Sequence, residues 1–219
     1  MKRAMKVTGK GKLYVKPDQI RLTMNLTAVK ESYEEAMSLS SAQVKQLKDS
    51  FAGLGFQENA LKTLSFRVDS KYENYRDGDE WKQRFVGYEF QHSLKLEFDS
   101  DNEMLGRVLS ALAKSGVKPE FHIDYTVKDK EAVKLQLIGK AVEDSKVKAE
   151  VFAKAAGVQL KEISKMEYSW EPEDIVVRPM SKMLLAANFS MDQDEACQMN
   201  INPEDIGLTD SVTIVWGIE

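Results

Sequence analysis

Apolar and polar positions along this chain switch between a period of two and a period near 3.6. Met5, Val7, Leu13 and Val15 alternate with Lys6, Thr8, Lys12 and Lys16, which predicts a strand with one apolar face. Gly9 and Gly11 predict a bulge or a close backbone contact in its middle. Pro17-Asp18 ends it, and Ile20, Leu22, Met24, Leu26 and Ala28 mark a second strand. Leu64, Phe66 and Val68 alternate in a third, which can continue to Tyr75; Asp77-Gly78-Asp79 then signals a hairpin turn. The returning strand carries Val86, Tyr88, Phe90, His92, Leu94, Leu96 and Phe98 on one face. Phe121, Ile123, Tyr125 and Val127 predict the next strand. A segment near Leu160–Trp170 predicts another, and Ile206 or Leu208 to Ile218 a last, with Val212, Ile214, Trp216 and Ile218 inward.

Three helices interleave with these strands. Ser32 and Glu35 make a capping box, followed by the stripe Tyr33, Met37, Ser40, Val44, Leu47, Phe51 and Leu54. Ser100 and Glu103 predict a second box before Met104, Leu105, Val108, Leu109 and Leu112. The third helix, about Asp129 to Ala156, carries Leu135, Ile138, Val142, Ser145, Ala149, Phe152 and Ala156 as its stripe. Each helix runs into a glycine and an apolar residue: Gly55-Phe56, Gly116-Val117 and Gly157-Val158. Glycine accepts the left-handed conformation that ends a helix, and the next apolar side chain packs back on the last turn.

The expected fold is α+β. Residues 18–128 read β-α-β-β-α-β, a ferredoxin-like antiparallel sheet unit with both helices on one face. Residues 1–17 plus 129–219 make a second, small α+β subdomain from the N- and C-terminal strands, the 160–170 strand and the long helix. Both belong to a single domain, 1–219. Residues 171–206 lose all periodicity and hold Pro172, Pro179, Pro203 and four methionines, so they form an irregular loop, a lid or an interaction arm.

Composition removes several classes. A net charge of −4 argues against a nucleic-acid partner, which rewards a basic face. The predicted open sheet face has no aromatic platform either: it reads Arg21, Thr23, Asn25, Thr27, Ser65, Arg67, Glu89, Gln91, Ser93, Lys95, Glu97, His122 and Asp124. The single cysteine, Cys197, has no internal disulfide partner and stands apart from basic neighbours, so it is assigned no task. No apolar run approaches the roughly 20 residues of a membrane span. Met1-Lys2-Arg3-Ala4-Met5 has no apolar stretch behind its basic start, so the chain as given reads as cytoplasmic.

Chemistry-bearing residues are sparse. His92 falls on an apolar strand face and reads as a core histidine with its hydrogen bonds met. His122, with Glu120 and Asp124 two residues to either side, stands in one row on a polar face, where a carboxylate could orient the imidazole for acid–base work. Asp77, Asp79 and Glu80 lack the further oxygens of a calcium loop and read as a solvated turn. Asp192, Asp194 and Glu195 read as solvated loop. No phosphate loop, nucleophile elbow or dinucleotide fingerprint occurs, and Gly9-Lys10-Gly11 is too short for one. No catalytic residue, cofactor-binding residue or metal ligand is assigned. Met180, Met183, Met191 and Met199, with Leu184 and Leu185, need burial on their own core or on a neighbouring subunit.

In its order of motifs the chain resembles the SIMPL-domain (DUF541) family. The matching features are Val7-Thr8-Gly9-Lys10-Gly11, Pro17-Asp18, Gly55 after the first helix and Gly87-Tyr88 in the central strand. Ala141, Ala149, Ala153 and Gly157 of the third helix, the Pro- and Met-containing loop and the closing Val212-Thr213-Ile214-Val215 complete the match. The resemblance implies an α+β fold, self-assembly and a stress or envelope role, and it supplies no catalytic residues. The leading expectation is a non-enzymatic homo-oligomer, with a further protein partner open. The alternatives are a small-ligand or peptide-binding module using a crevice between the subdomains under loop 171–206, and an enzyme using His122, Glu120 and Asp124.

Overall fold

The computed structural model describes residues 3–168, 175–178 and 201–219. Its elements are β1 (Ala4–Val15), β2 (Gln19–Lys30), α1 (Tyr33–Ala52), β3 (Leu61–Asp77), β4 (Glu80–Asp99), α2 (Asn102–Lys114), β5 (Glu120–Thr126), α3 (Lys130–Ala156), β6 (Leu160–Glu167), β7 (Val176–Val177) and β8 (Ile206–Ile218). They group into two compact units, one of Met1–Asp18, Thr126–Val177 and Pro203–Glu219, the other of Gln19–Tyr125 and Arg178–Asn202. Trp170 and most of 171–206 lie outside the described residues, including Met180, Met183, Leu184, Leu185, Met191, Asp192, Asp194, Glu195, Cys197 and Met199.

In the unit built on residues 19–125, the long strands lie in the order β3-β4-β2-β5. β2 pairs antiparallel with β4 from Gln19↔Asp99 to Lys30↔Tyr88 without a slip. Ile20, Leu22, Met24 and Leu26 therefore share a face with Phe90, Leu94, Leu96 and Phe98, and α1 and α2 bury that face with Leu47, Phe51, Leu105 and Leu109. Ser32 and Glu35 form the predicted capping box of α1. The α2 cap sits one residue later than the sequence suggested. Asp101, not Ser100, accepts the Glu103 N–H, because an Asp carboxylate in extended backbone reaches the first free N–H of the turn. All three helix-ending glycines have positive φ: Gly55 92°, Gly116 78° and Gly157 68°.

Bulges explain two apolar residues that fail to reach the core, Leu64 and Val86. The β3–β4 register slips between Thr63 and Ser65 and again between Lys71 and Tyr72. Leu64 falls at the first slip and is exposed. At the second, Val86 is the extra residue, and Phe85 takes the place beside Tyr88 that alternation gave to Val86, with ring centroids 5.3 Å apart. Phe121, near the start of β5, is also exposed, whereas Ile123, Tyr125 and Val127 are buried.

In the other unit β1, β8 and β6 form a three-stranded antiparallel sheet in that order. Val7, Val212, Ile214 and Trp216 pack against Ala141 and Ala149 of α3. The buried face of α3 is Val133, Leu137, Ala141, Ser145, Ala149 and Ala153. Of the expected stripe only Ser145 and Ala149 lie on it, while Leu135 and Phe152 are exposed. The cause is Gly9 and Gly11 of β1. A Cβ at either would overlap the backbone carbonyl of Ala141 or Leu137, so the helix lies directly on the strand, and from Gly9 onward its seam is the small residues Ala141, Ser145 and Ala149. Gly9 and Gly11 thus mark close contact, not a bulge, since β1 runs against β8 without a slip.

Candidate functional site

His92 is held by two elements. Its Nδ1 lies 2.9 Å from the Ser40 Oγ of α1 and its Nε2 2.9 Å from the Thr63 Oγ1 of β3. The Phe66 ring stands edge-on at 4.9 Å. Burial pushes the imidazole pKa below its ordinary value, so the neutral ring with both nitrogens partnered is the resting form. Its hydrogen bonds are met as the strand pattern predicts, but the ring is half-buried and not part of the core.

The row of Glu120, His122 and Asp124 does not make a relay. His122 Nε2 is 3.6 Å from Asp124 Oδ2, too long for a hydrogen bond. Asp124 is buried, and its Oδ1 accepts from Arg178 Nε at 2.8 Å. The carboxylate therefore serves an arginine that no motif in the sequence pointed to. Among the described residues, no three His, Cys, Asp or Glu side chains converge to hold a metal ion.

The polar face of the β3-β4-β2-β5 sheet is a set of paired charges and amides. Arg21 Nε and Lys95 Nζ each reach a Glu97 oxygen at 2.9 Å. Burial raises the Glu97 pKa, but those two hydrogen bonds outweigh it and hold the carboxyl below the usual value. Ser93 donates to Asn25 Oδ1 at 2.6 Å. Lys71 reaches Glu89 at 2.9 Å and is the main cause of that carboxyl's lowered pKa. Glu97 and Glu89 are thus each held by cations of the same face.

The opposite face is different where β3 and β4 extend beyond β2. β2 ends at Lys30, opposite Tyr88, so residues 71–87 form a two-stranded ribbon. One face of it carries cross-strand ion pairs, Arg84–Glu73 at 3.2 Å and Lys82–Asp77 at 2.5 Å. The other continues the core face of the sheet with aromatic rings. Tyr33, Tyr88, Phe85 and Tyr72 follow one another with centroid separations of 6.0, 5.3 and 5.6 Å. Trp81, on the same face near the tip, is 75% exposed, Tyr72 56% and Phe85 47%. Among the described residues nothing covers this aromatic strip, and the ribbon has no core of its own. The sequence reading missed it because the alternation was followed only as far as Tyr75 and Val86.

The family of proteins of unknown function named SIMPL (DUF541) matches residues 5–216. The chain belongs to the SIMPL family. This SIMPL chain is also 25% identical over 185 residues to the 26 kDa periplasmic immunogenic protein of Brucella melitensis biotype 1, a match covering 83% of this chain and 74% of that protein. Among solved structures, CutA from Synechococcus elongatus aligns with 59% of the SIMPL chain and 96% of its own at 14% identity. The TM-score of that alignment is 0.23, too low to bear on fold or function. No described helix of the SIMPL chain is long and apolar enough to cross a membrane.

Proposed function

We propose that this SIMPL protein works without catalysis, as a homo-oligomer assembled through its β3–β4 ribbon. The observation that carries the reading is the exposed ring strip Tyr72, Phe85 and Trp81 on an arm that β2 no longer supports. Large aromatic side chains each bury on the order of 150–250 Å² in a contact and are the favoured anchors of interfaces. The engaged charges of the sheet's polar face and the long His122–Asp124 separation favour a binding role over acid–base chemistry. The name of the Brucella relative, a periplasmic immunogenic protein, supports an envelope setting. The order β-α-β-β-α-β, with strands in the sequence β3-β4-β2-β5, supports a ferredoxin-like description of this unit.

The test is molar mass by light scattering after size exclusion, on the full chain and on the triple variant Tyr72→Ser, Trp81→Ser, Phe85→Ser. A discrete oligomer for the parent and a folded monomer for the variant, by circular dichroism, are expected. A parent that stays monomeric at tens of micromolar overturns the reading.

A further inference from the structure

We infer that β3 is a self-pairing edge, by which two copies of this chain join antiparallel on a two-fold axis at Ser70. The inference rests on the self-assembly reading and specifies its partner and register.

The outer strands of the two sheets are treated differently. On β1, Asp144 of α3 accepts the Lys10 N–H at 2.7 Å, and the Lys148 ammonium reaches the Thr8 carbonyl at 3.5 Å. The helix thereby occupies groups that another strand would use. β6 spans eight residues, and its register shifts twice. Short, irregular or covered edges are the usual protection against pairing with another chain. β3 is longer, and although its ladder with β4 also slips twice, the extra residue at the second slip is Val86 of β4, so β3 itself runs without interruption from Ser65 to Asp77. It runs 17 residues at the end of its sheet, exposed for nearly its whole length. Among the described residues, nothing other than β4 pairs with its backbone.

Its side chains are self-complementary when the two-fold lies at Ser70. The run Arg67-Val68-Asp69-Ser70-Lys71-Tyr72-Glu73 alternates charge along one face. Turned antiparallel about Ser70, Asp69 meets the partner's Lys71, and Arg67 meets the partner's Glu73, each of these charges also having an in-chain neighbour: Lys71 has Glu89, Arg67 has Asp69 and Glu73 has Arg84. On the other face Val68 meets the partner's Tyr72, so the aromatic strip continues across the junction. A two-fold at Asp69 would oppose Arg67 to Lys71, and one at Lys71 would oppose Asp69 to Glu73, like against like in both. A two-fold at Tyr72 also keeps opposite charges together but sets Val68, in the regular part of the strand, against Arg76; about Ser70, Arg76 falls opposite Leu64, which stands at the bulge. Opposite charges facing across a ladder stabilise it and like charges destabilise it, while backbone hydrogen bonds supply the sequence-independent part.

Charge reversal and cross-linking test the register together. Asp69→Lys alone and Lys71→Asp alone each set like charges opposite twice per dimer and are expected to raise the dimer dissociation constant about tenfold. The double variant restores the pairing and is expected to recover the parent value. In a Cys197→Ser background, Ser70→Cys brings two thiols face to face and is expected to give a disulfide-linked dimer under mild oxidation, whereas Tyr72→Cys is not. An oligomer that survives both single reversals, with no Ser70→Cys link, overturns the β3 pairing and leaves assembly through another surface. Linkage by Tyr72→Cys in place of Ser70→Cys overturns the register. A parent monomeric at every concentration overturns the pairing and the assembly reading alike.

Discussion

A half-buried imidazole between two hydroxyls couples His92 to the pH range in which the fold is stable. Ser40 and Thr63 can each turn a hydroxyl to suit the neutral ring, which offers one donor and one acceptor. A protonated ring would be two donors, desolvated and without a carboxylate partner among the contacts it makes. The folded-state pKa is accordingly lowered from the ordinary 6.5. With the folded value below the unfolded one, the unfolded chain binds more protons between the two. The stabilisation is therefore complete above pH 6.5 and is lost as pH falls through the folded value. Urea unfolding at a series of pH values should show this decline on acidification, and His92→Gln should flatten it. A parent and variant with parallel pH profiles would show that the imidazole titrates alike in both states.

At the level of elements, α3 shows where periodicity succeeds and where it stops. Its extent was legible from Asp129, which caps it by accepting the Ala132 N–H, and from Gly157, which ends it in the left-handed conformation. Its buried face was not. Apolar volume nominated Leu135 and Phe152, whereas the β1 glycines demand small side chains at the contact, and Ala141, Ser145 and Ala149 supply them. Close approach of two backbones is set by what is missing from both partners, and a hydrophobicity pattern weights such positions least. The same limit hid the ribbon. The slips at Thr63/Ser65 and Lys71/Tyr72 shift the alternation by one residue, so reading straight through them misplaces Leu64 and Val86. The β4 face and the His92 environment were legible because no slip intervenes between Tyr88 and Asp99 on the β2 side. Packing at the α3 seam sets the next expectation. Ala141→Leu should cost about 3 kcal/mol in chemical unfolding, since the added atoms have only strand backbone to move. Leu135→Lys should stay within about 0.5 kcal/mol, as it stands 62% exposed. Equal costs for the two substitutions would put the helix's buried face elsewhere.

Across the whole molecule the two units are held by different means. The unit around β2 and β4 buries large side chains from both strands and both helices: Leu22, Met24, Phe51, Phe90 and Leu105 have no more than 1% of their surface exposed. Each such side chain contributes about 2 kcal/mol by burial alone. The unit around β1 and β8 has Val7, Val212, Ile214 and Trp216 against an alanine seam, and a second small cluster of Val127, Val133, Ile175 and Ile206, so its apolar core is divided and its side chains are smaller. A larger share of its cohesion comes from the long β1–β8 ladder, from Ala4↔Gly217 to Val15↔Ile206, whose net worth per hydrogen bond in water is about 1 kcal/mol or less. Apolar burial resists local opening more than exposed ladders do, so the units should open at different free energies. Native-state hydrogen exchange should find the amides of β2 and β4 about 100-fold slower than those of β1 and β8, equivalent to roughly 3 kcal/mol. Assembly through β3 would widen that gap with rising concentration, because only the unit that contains β3 gains contacts from a second copy. Identical exchange in both units at every concentration would mean that they open as one, with the alanine seam as strong a support as the aromatic and leucine core.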